Sequence, residues 1–278
     1  MDRQWHLQPA DAGDWQIFSA QAAKEGWRIP AKEMALWRGP LQHGVLALRY
    51  ARRFAGLITL VGYGVGAWIG NLLVMPEMRG RGFGAGLLDA GISQLTGQGA
   101  RTLWLTASKA GLPLYQRRGF KTVGAVERWI RPALGATLIK TAPLRGKPCA
   151  AADLLQEDVR VWGERRALLD FLLPEGELLQ AADHRALLQQ EPGMHILGPW
   201  FAPPAREKEA RALLVSALAV ACPSKELVVE MREGALPAPV LETFGLVRQS
   251  GTLLMRQGDA GGVDLSRLMA FASLGSMG

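Results

Sequence analysis

The chain has 278 residues, a mass of 30.1 kDa and a hydrophobic fraction of 49%. Because domains usually contain about 100 to 200 residues, this length predicts two domains. A charged fraction of 21% and a mean hydropathy of +0.06 exclude a wholly disordered chain and a small scaffold held together by disulfides. Residues 1–148 contain 20 Lys and Arg against 8 Asp and Glu, a net charge of +12, whereas residues 149–278 contain 12 against 17, a net charge of −5.

Hydrophobic periodicity predicts a mixed α/β unit in the first half. Strands are predicted over Gln4–Leu7, His43–Tyr50, Arg53–Tyr63, Ala67–Val74, Arg101–Ala107, Lys121–Val126 and Arg128–Ile139. Helices are predicted from Asp11, which can cap the first of them, to Lys24, and over Ala85–Leu95 and Pro113–Arg117. This order is typical of a mixed, mostly antiparallel sheet flanked by helices.

The second half repeats this order more faintly. Helices are predicted over Glu164–Leu173, Ala205–Ala221 and Pro239–Phe244, and strands over Arg185–Gln189, Met194–Phe201, Glu226–Glu230 and Arg248–Met255. Residues 141–152 contain two prolines, a glycine and small side chains, which are typical of a linker. The predicted organisation is a domain at residues 1–140, a linker at 141–152 and a degenerate copy of the first domain at 153–278.

Several classes of protein and site are disfavoured by what the sequence contains. The two cysteines are too few for a disulfide framework or a cysteine-based metal cluster, and the four histidines share no metal-binding spacing, so no metal is expected. No apolar run reaches the roughly 18 residues of a membrane span, and the first ten residues carry charges where a secretory signal is apolar. We therefore expect a cytoplasmic protein that does not bind membranes.

The glycine-rich segment after the strand Ala67–Val74 carries the clearest functional signal. Gly80, Gly82, Gly84 and Gly86 let the backbone turn tightly and approach a ligand closely. The helix that follows offers free amides and the positive end of its dipole, and Arg79 and Arg81 add positive charge. The segment is therefore predicted to bind an anion such as a pyrophosphate.

The glycine-rich segment matches the common nucleotide-binding motifs poorly. A P-loop requires Gly-Lys-Ser/Thr, which is absent, and only a relaxed form of the dinucleotide-binding pattern is present, after antiparallel strands instead of within a parallel βαβ unit. A surface turn with solvated arginines remains the alternative without function.

Arg79-x-x-Gly82-x-Gly84 behind a strand, with Tyr115-Gln116-Arg117-Arg118-Gly119-Phe120 downstream, resembles the GNAT superfamily of N-acyltransferases. The resemblance covers most of residues 1–140. The sequences around Gly70-Asn71 and Leu105–Ser108 resemble bacterial acetyltransferases that carry a second GNAT-like domain, and Gly198–Trp200 and Ala272–Gly275 resemble that second domain. The implied fold is two tandem GNAT-like copies, and the implied co-substrate is acetyl-CoA.

The resemblance also assigns roles to residues. The pyrophosphate would be bound by the segment Arg79, Gly80, Arg81, Gly82, Phe83, Gly84 and Ala85. Leu72 and Val74 would offer backbone groups to the pantetheine arm, and Ser108 stands where many relatives have a pantetheine-binding Asn. Tyr115 would lie near the thioester sulfur, where its phenol, with a pKa of about 10, can protonate the leaving thiolate. Packing of Tyr115 on the core is the alternative.

The general base and the acceptor stay open at this stage. Many relatives place a carboxylate on the strand before the loop, but the polar residue of this strand is Asn71, which cannot take a proton. Glu33, Glu127 and Glu230 are the possible bases. The acceptor is expected to be a primary amine of a small molecule or a protein, bound opposite the loop near the acidic second half.

Two other classes of function are considered. A CoA-binding sensor or regulatory module without turnover would keep the loop, and the missing strand carboxylate is compatible with it. A nucleic-acid binder would use the basic first half, but its arginines are scattered and no nucleic-acid-binding motif is present, so no nucleic-acid partner is expected. The oligomeric state is not indicated by the sequence.

Overall fold

The computed structural model describes residues 5–134, 150–204 and 206–278. The first half contains β1 (Trp5–Gln8), α1 (Ala12–Lys24), α2 (Ala31–Arg38), β2 (Val45–Tyr50), β3 (Arg53–Gly62), β4 (Gly66–Val74), α3 (Phe83–Gly97), β5 (Thr102–Ala107), α4 (Leu112–Gln116) and β6 (Lys121–Arg131). The second half contains α5 (Ala151–Trp162), α6 (Leu168–Leu172), β7 (Gly176–Ala181), β8 (His184–Gln190), β9 (Met194–Phe201), α7 (Glu207–Val220), β10 (Glu226–Arg232), α8 (Ala238–Thr243), β11 (Val247–Gln257) and β12 (Leu268–Ala270).

The strands of the described residues form one twelve-stranded sheet in the order β1-β2-β3-β4-β5-β11-β6-β10-β12-β9-β8-β7, with β10 also paired to β9. The pairing is antiparallel except between β4 and β5 and between β9 and β10, which are parallel. Alternate side chains of β3 point to opposite faces of the sheet. Ile58 and Leu60 belong to the core on the α3 side. Leu57 and Val61 belong to the core that contains residues of α1, α2 and α5. The predicted mixed α/β fold with a mostly antiparallel sheet flanked by helices is confirmed.

The last long strand of each half is paired with the other half. β6 pairs with β10 from Val126 to Arg131, and β11 lies between β5 and β6. The edge of β5 is therefore completed by residues Leu253–Gln257 of the second half. The two predicted units share one continuous sheet, because each supplies a strand that the other needs.

Aromatic packing between the halves reinforces this shared sheet. Trp68 of β4 and Trp104 of β5 both meet the ring of Trp162 of α5 edge to face, at centroid distances of 6.1 and 5.7 Å. Phe271 packs against Trp68 and Trp162 as well. Because such pairs add to the stabilisation that burial alone provides, this cluster holds α5 and the end of the chain against the first half.

Sequence patterns missed α2, α5, β7 and β12, and they predicted a helix over residues 164–173 where only α6 is helical. Tertiary contacts explain the shorter helix. The Glu164 carboxylate accepts hydrogen bonds from two backbone amides at the start of β4, and Arg166 is buried in a bidentate pair with Asp158. These partners hold the chain after α5 in a non-helical path that propensity does not reveal.

Some predicted boundaries fall partly outside the described residues. α5 begins at Ala151, so the last two residues of the predicted linker are helical, and residues 141–149 lie outside the description. β6 is one strand from Lys121 to Arg131, whereas two strands reaching Ile139 were predicted, of which residues 135–139 are not described.

Cleavage between the halves tests whether the pairing of β6 with β10 and β11 holds the two halves together. A protease site inserted within residues 135–149 and then cut is expected to leave the two fragments together in native gel filtration, because main-chain pairing on both sides of β6 joins them. In guanidinium chloride the fragments should separate, which is the control for complete cleavage. Separate elution under native conditions would contradict the shared sheet.

Candidate active site

The site is built where β4 and β5 separate. These parallel strands pair only from Gly66 to Trp68 on β4, opposite Thr102 to Trp104 on β5, and they diverge beyond those residues. β4 remains paired with β3 as far as Val74. One edge of β4 between Ile69 and Val74 is therefore free of β5, and this is the edge where Leu72 and Val74 were predicted to offer backbone groups.

A β-bulge lies at the point of divergence. Leu57 faces Leu73 and Thr59 faces Gly70, so β4 has one residue more than β3 in this interval. Asn71 takes a left-handed conformation there, with φ of 49°. Asn tolerates this conformation better than most residues, which accounts for a polar residue inside an otherwise apolar strand.

The glycine-rich segment connects β4 to α3 as predicted. Gly80 and Gly82 have φ of 75° and 82°, a left-handed backbone that other residues adopt only with strain, and Gly82 is the N-cap of α3. A Cβ atom at either position would meet no atom within 4 Å, so these glycines are required by the turn and not by crowding within the protein.

The backbone amides of this segment are available to a ligand. Within the described part of the chain, the amides from Gly80 to Ala85 donate to no acceptor, whereas that of Arg79 donates to the Pro76 carbonyl at 3.2 Å. The run of free amides stands at the positive end of the α3 dipole, a combination that favours a bound anion.

The two arginines of the segment differ. The Arg79 guanidinium pairs with Glu25, the C-cap of α1, with Nη2 2.6 Å from Oε1, and its Nε donates to the Val74 carbonyl at 3.0 Å. Arg79 thus ties the end of β4 to the end of α1. Arg81 is exposed and pairs with no carboxylate of the described residues, so its charge is free to meet a ligand.

Three elements converge on Gly84. A Cβ atom there would lie 3.5 Å from a methyl group of Val74 and 3.6 Å from one of Leu114 on α4. α4 is held in place by the bidentate pair of Arg118 with Asp89 of α3. The predicted phosphate segment, the end of β4 and the helix that carries Tyr115 are therefore brought together.

Tyr115 lies on α4 with its ring buried and packed edge to face against Phe120 at 6.1 Å. Its hydroxyl forms no hydrogen bond with a described residue. Burial raises the pKa of Tyr115 above 10, so the phenol is protonated at neutral pH. Ser108, in contrast, is exposed, and its Oγ accepts the Gly111 amide at 3.2 Å in the turn before α4.

On the opposite side of β4, Glu33 of α2 is 4% exposed and faces the bulge, with Oε1 3.5 Å from Asn71 Nδ2. Burial raises the pKa of Glu33 to about 6, and the polar side chains of Ser276, Asn71 and Trp37 limit the rise. α2 escaped sequence analysis, although the spacing of Met34 and Trp37 after Pro30 could have indicated it.

The other two candidate bases are engaged by basic or donor groups. Glu127 accepts a hydrogen bond from Trp129 Nε1 at 3.0 Å and lies 3.1 Å from Arg248. Glu230 is buried and forms an ion pair with Arg128. Both carboxylates are thereby accounted for by structural contacts between the two halves.

The end of the second half closes this side of the site, which the sequence did not reveal. The Gly275 carbonyl accepts hydrogen bonds from Trp68 Nε1 at 3.1 Å and Thr106 Oγ1 at 3.3 Å, and so bridges β4 and β5 where they diverge. Ser276 passes so close to Gly70 that a Cβ atom there would lie 2.5 Å from the Ser276 carbonyl oxygen. Gly70 is thus required by this close approach.

The turn before α7, which was predicted to be the counterpart of the glycine-rich segment, is built differently. α7 begins at Glu207 after Pro203 and Pro204, which have no amide hydrogens to donate, and residue 205 is not described. Glu207 and Glu209 stand in the first turn of α7. Their carboxylates already complement the positive dipole end that an anion would otherwise use.

A cavity of about 150 Å³ lies at the other end of β4, away from the glycine-rich segment. It is lined by Trp68, Trp104, Trp162 and the loop 260–263.

Across the described residues, no helix is long and apolar enough to cross a membrane.

Comparison with known proteins agrees with this geometry. Residues 13–120 match the model of the acetyltransferase (GNAT) family, which confirms the predicted resemblance for that part of the chain. No curated protein matches the sequence.

Solved structures match over nearly the whole chain. A protein from Pyrococcus horikoshii classed as an acetyltransferase is 17% identical with a TM-score of 0.77, and the match covers 98% of this chain and 96% of that one. A GCN5-related N-acetyltransferase from Sphaerobacter thermophilus is 16% identical with a TM-score of 0.68, over 96% and 99% of the two chains. One from Anabaena variabilis is 14% identical with a TM-score of 0.54, over 91% and 72%. At these identities the likeness establishes the fold.

The raised pKa of Glu33 predicts a pH-dependent stability. A carboxyl whose pKa is higher in the folded state destabilises the protein as pH rises through the interval from 4.5 to about 6. Glu33→Gln removes this penalty. The free energy of unfolding of the variant, relative to that of the wild type, should therefore increase by up to about 2 kcal/mol from pH 4 to pH 8.

Urea denaturation at the two pH values measures this gain. Glu175→Gln is the matched control, because the pKa of the exposed Glu175 is lowered by its hydrogen bond with Lys32 and no gain is expected. If the free energies of unfolding of Glu33→Gln and the wild type differ by the same amount at both pH values, the pKa of Glu33 is not raised.

Proposed function

We propose that this protein, whose residues 13–120 match the model of the acetyltransferase (GNAT) family, is an acetyl-CoA-dependent N-acetyltransferase that modifies a primary amine of a small molecule or a protein. The run of free amides from Gly80 to Ala85 at the N-terminus of α3 carries the proposal. An anion with several oxygens, such as the pyrophosphate of CoA, matches several converging donors.

The arrangement supports binding of the rest of the co-substrate. From the pyrophosphate at the segment Gly80–Ala85, the pantetheine arm would follow the edge of β4 at Leu72 and Val74, which β5 leaves free. Extended pantetheine carries amide groups, and these can pair with an unpaired strand edge. Ser108 is committed to the turn before α4, and its hydroxyl can still offer its proton to a ligand.

The reaction is a direct attack of the amine nitrogen on the thioester carbonyl. The N–C bond forms, the C–S bond breaks, and the sulfur leaves with the electron pair. Tyr115, protonated and free of a protein partner among the described residues, is proposed to donate its hydroxyl proton to that sulfur. The products are an N-acetylated amine and CoA.

The second half is proposed to be a degenerate copy that binds no CoA and instead forms a wall of the acceptor site. Its two prolines and the carboxylates of Glu207 and Glu209 at the start of α7 support this assignment. The approach of Gly275 and Ser276 to β4 and β5 places the end of this half on the side opposite α3.

Substitution of Gly84 tests the phosphate segment. In Gly84→Val the larger side chain would crowd Val74 and Leu114 and block close approach, so the affinity for CoA should fall roughly 10- to 100-fold, the equivalent of one lost charge-assisted hydrogen bond of about 1.5 to 3 kcal/mol. Calorimetry should give one CoA per wild-type chain.

Gly97→Val, the same substitution at the other end of α3, is the matched control, because a Cβ atom there meets nothing within 4 Å. Its affinity should equal that of the wild type. Unchanged affinity in a folded Gly84→Val protein, or two CoA molecules per chain, would contradict the proposed site.

A screen of amines with acetyl-CoA, read as free thiol, tests the activity itself. Turnover by the wild type is expected with at least one amine, and the screen identifies the acceptor class. A protein that binds CoA and releases no thiol with any small or peptide amine would be a binding module instead of an enzyme.

Tyr115→Phe tests the proton donor. The variant keeps the ring that packs on Phe120, so CoA affinity should be unchanged, while the single-turnover rate with a saturating amine should fall roughly 10- to 1000-fold. Single-turnover conditions exclude product release from the measurement. An unchanged rate would leave Tyr115 as a packing residue only.

A further inference from the structure

We propose that Glu33 is the general base, which accepts the proton that the acceptor amine must lose before it attacks the thioester. This inference rests on the proposed N-acetyltransferase function and assigns the proton acceptor that the function requires. An ordinary amine is protonated at pH 7 and has no free electron pair, so one proton must be removed. The strand that carries Asn71 supplies no carboxylate for this purpose.

Glu33 is the one of the three candidate carboxylates that has no ion pair with a described residue. Glu127 is held by Trp129 and Arg248, and Glu230 by Arg128. An arginine paired with a carboxylate occupies oxygens that an amine would otherwise approach, and this holds for Glu230 even though burial raises its pKa. The Glu33 carboxylate instead has the neutral Asn71 amide beside it at 3.5 Å.

The position of Glu33 agrees with this role. Asn71 occupies the bulge where β4 leaves β5, immediately before Leu72 and Val74, the backbone edge assigned to the pantetheine arm. α2 approaches this bulge from the face opposite α3, so Glu33 and the phosphate segment lie on opposite sides of the strand. An amine that enters from the side of α2 would meet Glu33 before it reaches the thioester.

The surroundings of Glu33 contain polar groups that the protein itself does not fully use. Ser276 Oγ and Trp37 Nε1 are both buried beside Glu33 and favour its charged form, but neither reaches hydrogen-bond geometry with a described residue. Buried polar groups are normally paired, and unpaired ones indicate a place where a ligand or an ordered water is bound. Three functional groups thus face one location beside the β4 bulge.

Other charged groups near Glu33 determine how it titrates. Glu191 faces it from the turn after β8, and repulsion between the two carboxylates adds to the effect of burial in raising the Glu33 pKa to about 6. Lys32 donates its amide to Glu191 at 3.3 Å and turns its ammonium group to Glu175 at 2.7 Å. Tyr63, half-buried and hydrogen-bonded to the Met277 carbonyl, is protonated across this range.

The proton transfers between amine, Glu33 and Tyr115 balance over one turnover. An ammonium group gives one proton to the Glu33 carboxylate and becomes a neutral amine, which attacks the thioester carbon. The sulfur leaves with the electron pair and takes a proton from Tyr115. The acetylated nitrogen loses its second proton, which restores the phenol through solvent, and Glu33 releases its proton to solvent, so that the net products are the amide, CoA and one proton.

The test compares kcat/KM against pH for the wild type and Glu33→Gln, with the amine found in the screen. The wild-type profile should fall below about pH 6, and the variant should lose roughly 100-fold or more in rate together with that acidic limb. CoA affinity by calorimetry should be unchanged, which separates loss of the base from loss of the co-substrate site.

Glu191→Gln is the matched control, a neighbouring buried carboxylate replaced in the same way. It should retain most of the rate, with the acidic limb moved to lower pH, because removal of the Glu191 charge lowers the pKa of Glu33.

An alternative substrate gives a second readout. With hydroxylamine, which is neutral at pH 7, Glu33→Gln should approach the wild-type rate because no proton needs to be removed before attack.

The outcomes distinguish the inference from the function on which it rests. If the wild type acetylates amines while Glu33→Gln keeps the acidic limb, or loses equal rate with hydroxylamine and with the ordinary amine, the assignment of Glu33 is overturned and the function stands. If the wild type binds CoA and acetylates no amine, the proposed function fails, and the role of Glu33 fails with it.

Discussion

The site depends on the separation of two parallel strands. β4 and β5 pair at three positions and then diverge, and this divergence frees one edge of β4 while β3 keeps the other edge in register. The carboxyl ends of adjacent parallel strands lie at the same edge of a sheet, so the chain segments that follow them meet there. The glycine-rich turn and α3 follow β4, and the turn of Ser108 and α4 follow β5. A continuous β4–β5 ladder would leave no space between them.

The two sides of this opening have different chemistry. The side of α3 presents unused backbone amides, a helix N-terminus and the exposed Arg81, all of which favour negative charge. The side of α2 is enclosed by the end of the second half and contains the buried carboxylate of Glu33. This separation favours the proposed reaction between an anionic thioester and a cationic amine, because each partner would be attracted to its own side of β4.

The sequence predicted the glycine-rich turn and the helix on the α3 side, but it missed α2 on the other side, for a physical reason. Gly80, Gly82 and the helix after them depend on local backbone requirements, which leave a pattern in consecutive residues. The environment of Glu33 depends on contacts between α2, the bulge at Asn71 and Ser276, more than 200 residues away in the chain. The sequence also did not predict that β6 and β11 pair across the two halves, or that the chain after α5 is non-helical. Alternation of apolar residues identifies a strand without identifying the strands that pair with it.

The position of β11 has a consequence for the biosynthesis of the protein. β5, which together with β4 forms the opening, receives its partner only when residues 253–257 have been made, long after β5 itself. Until those residues leave the ribosome, β5 and β6 of the nascent chain present unpaired edges, which are prone to association with other strands. The first half of the nascent chain is therefore more exposed to association with other chains than the finished fold is.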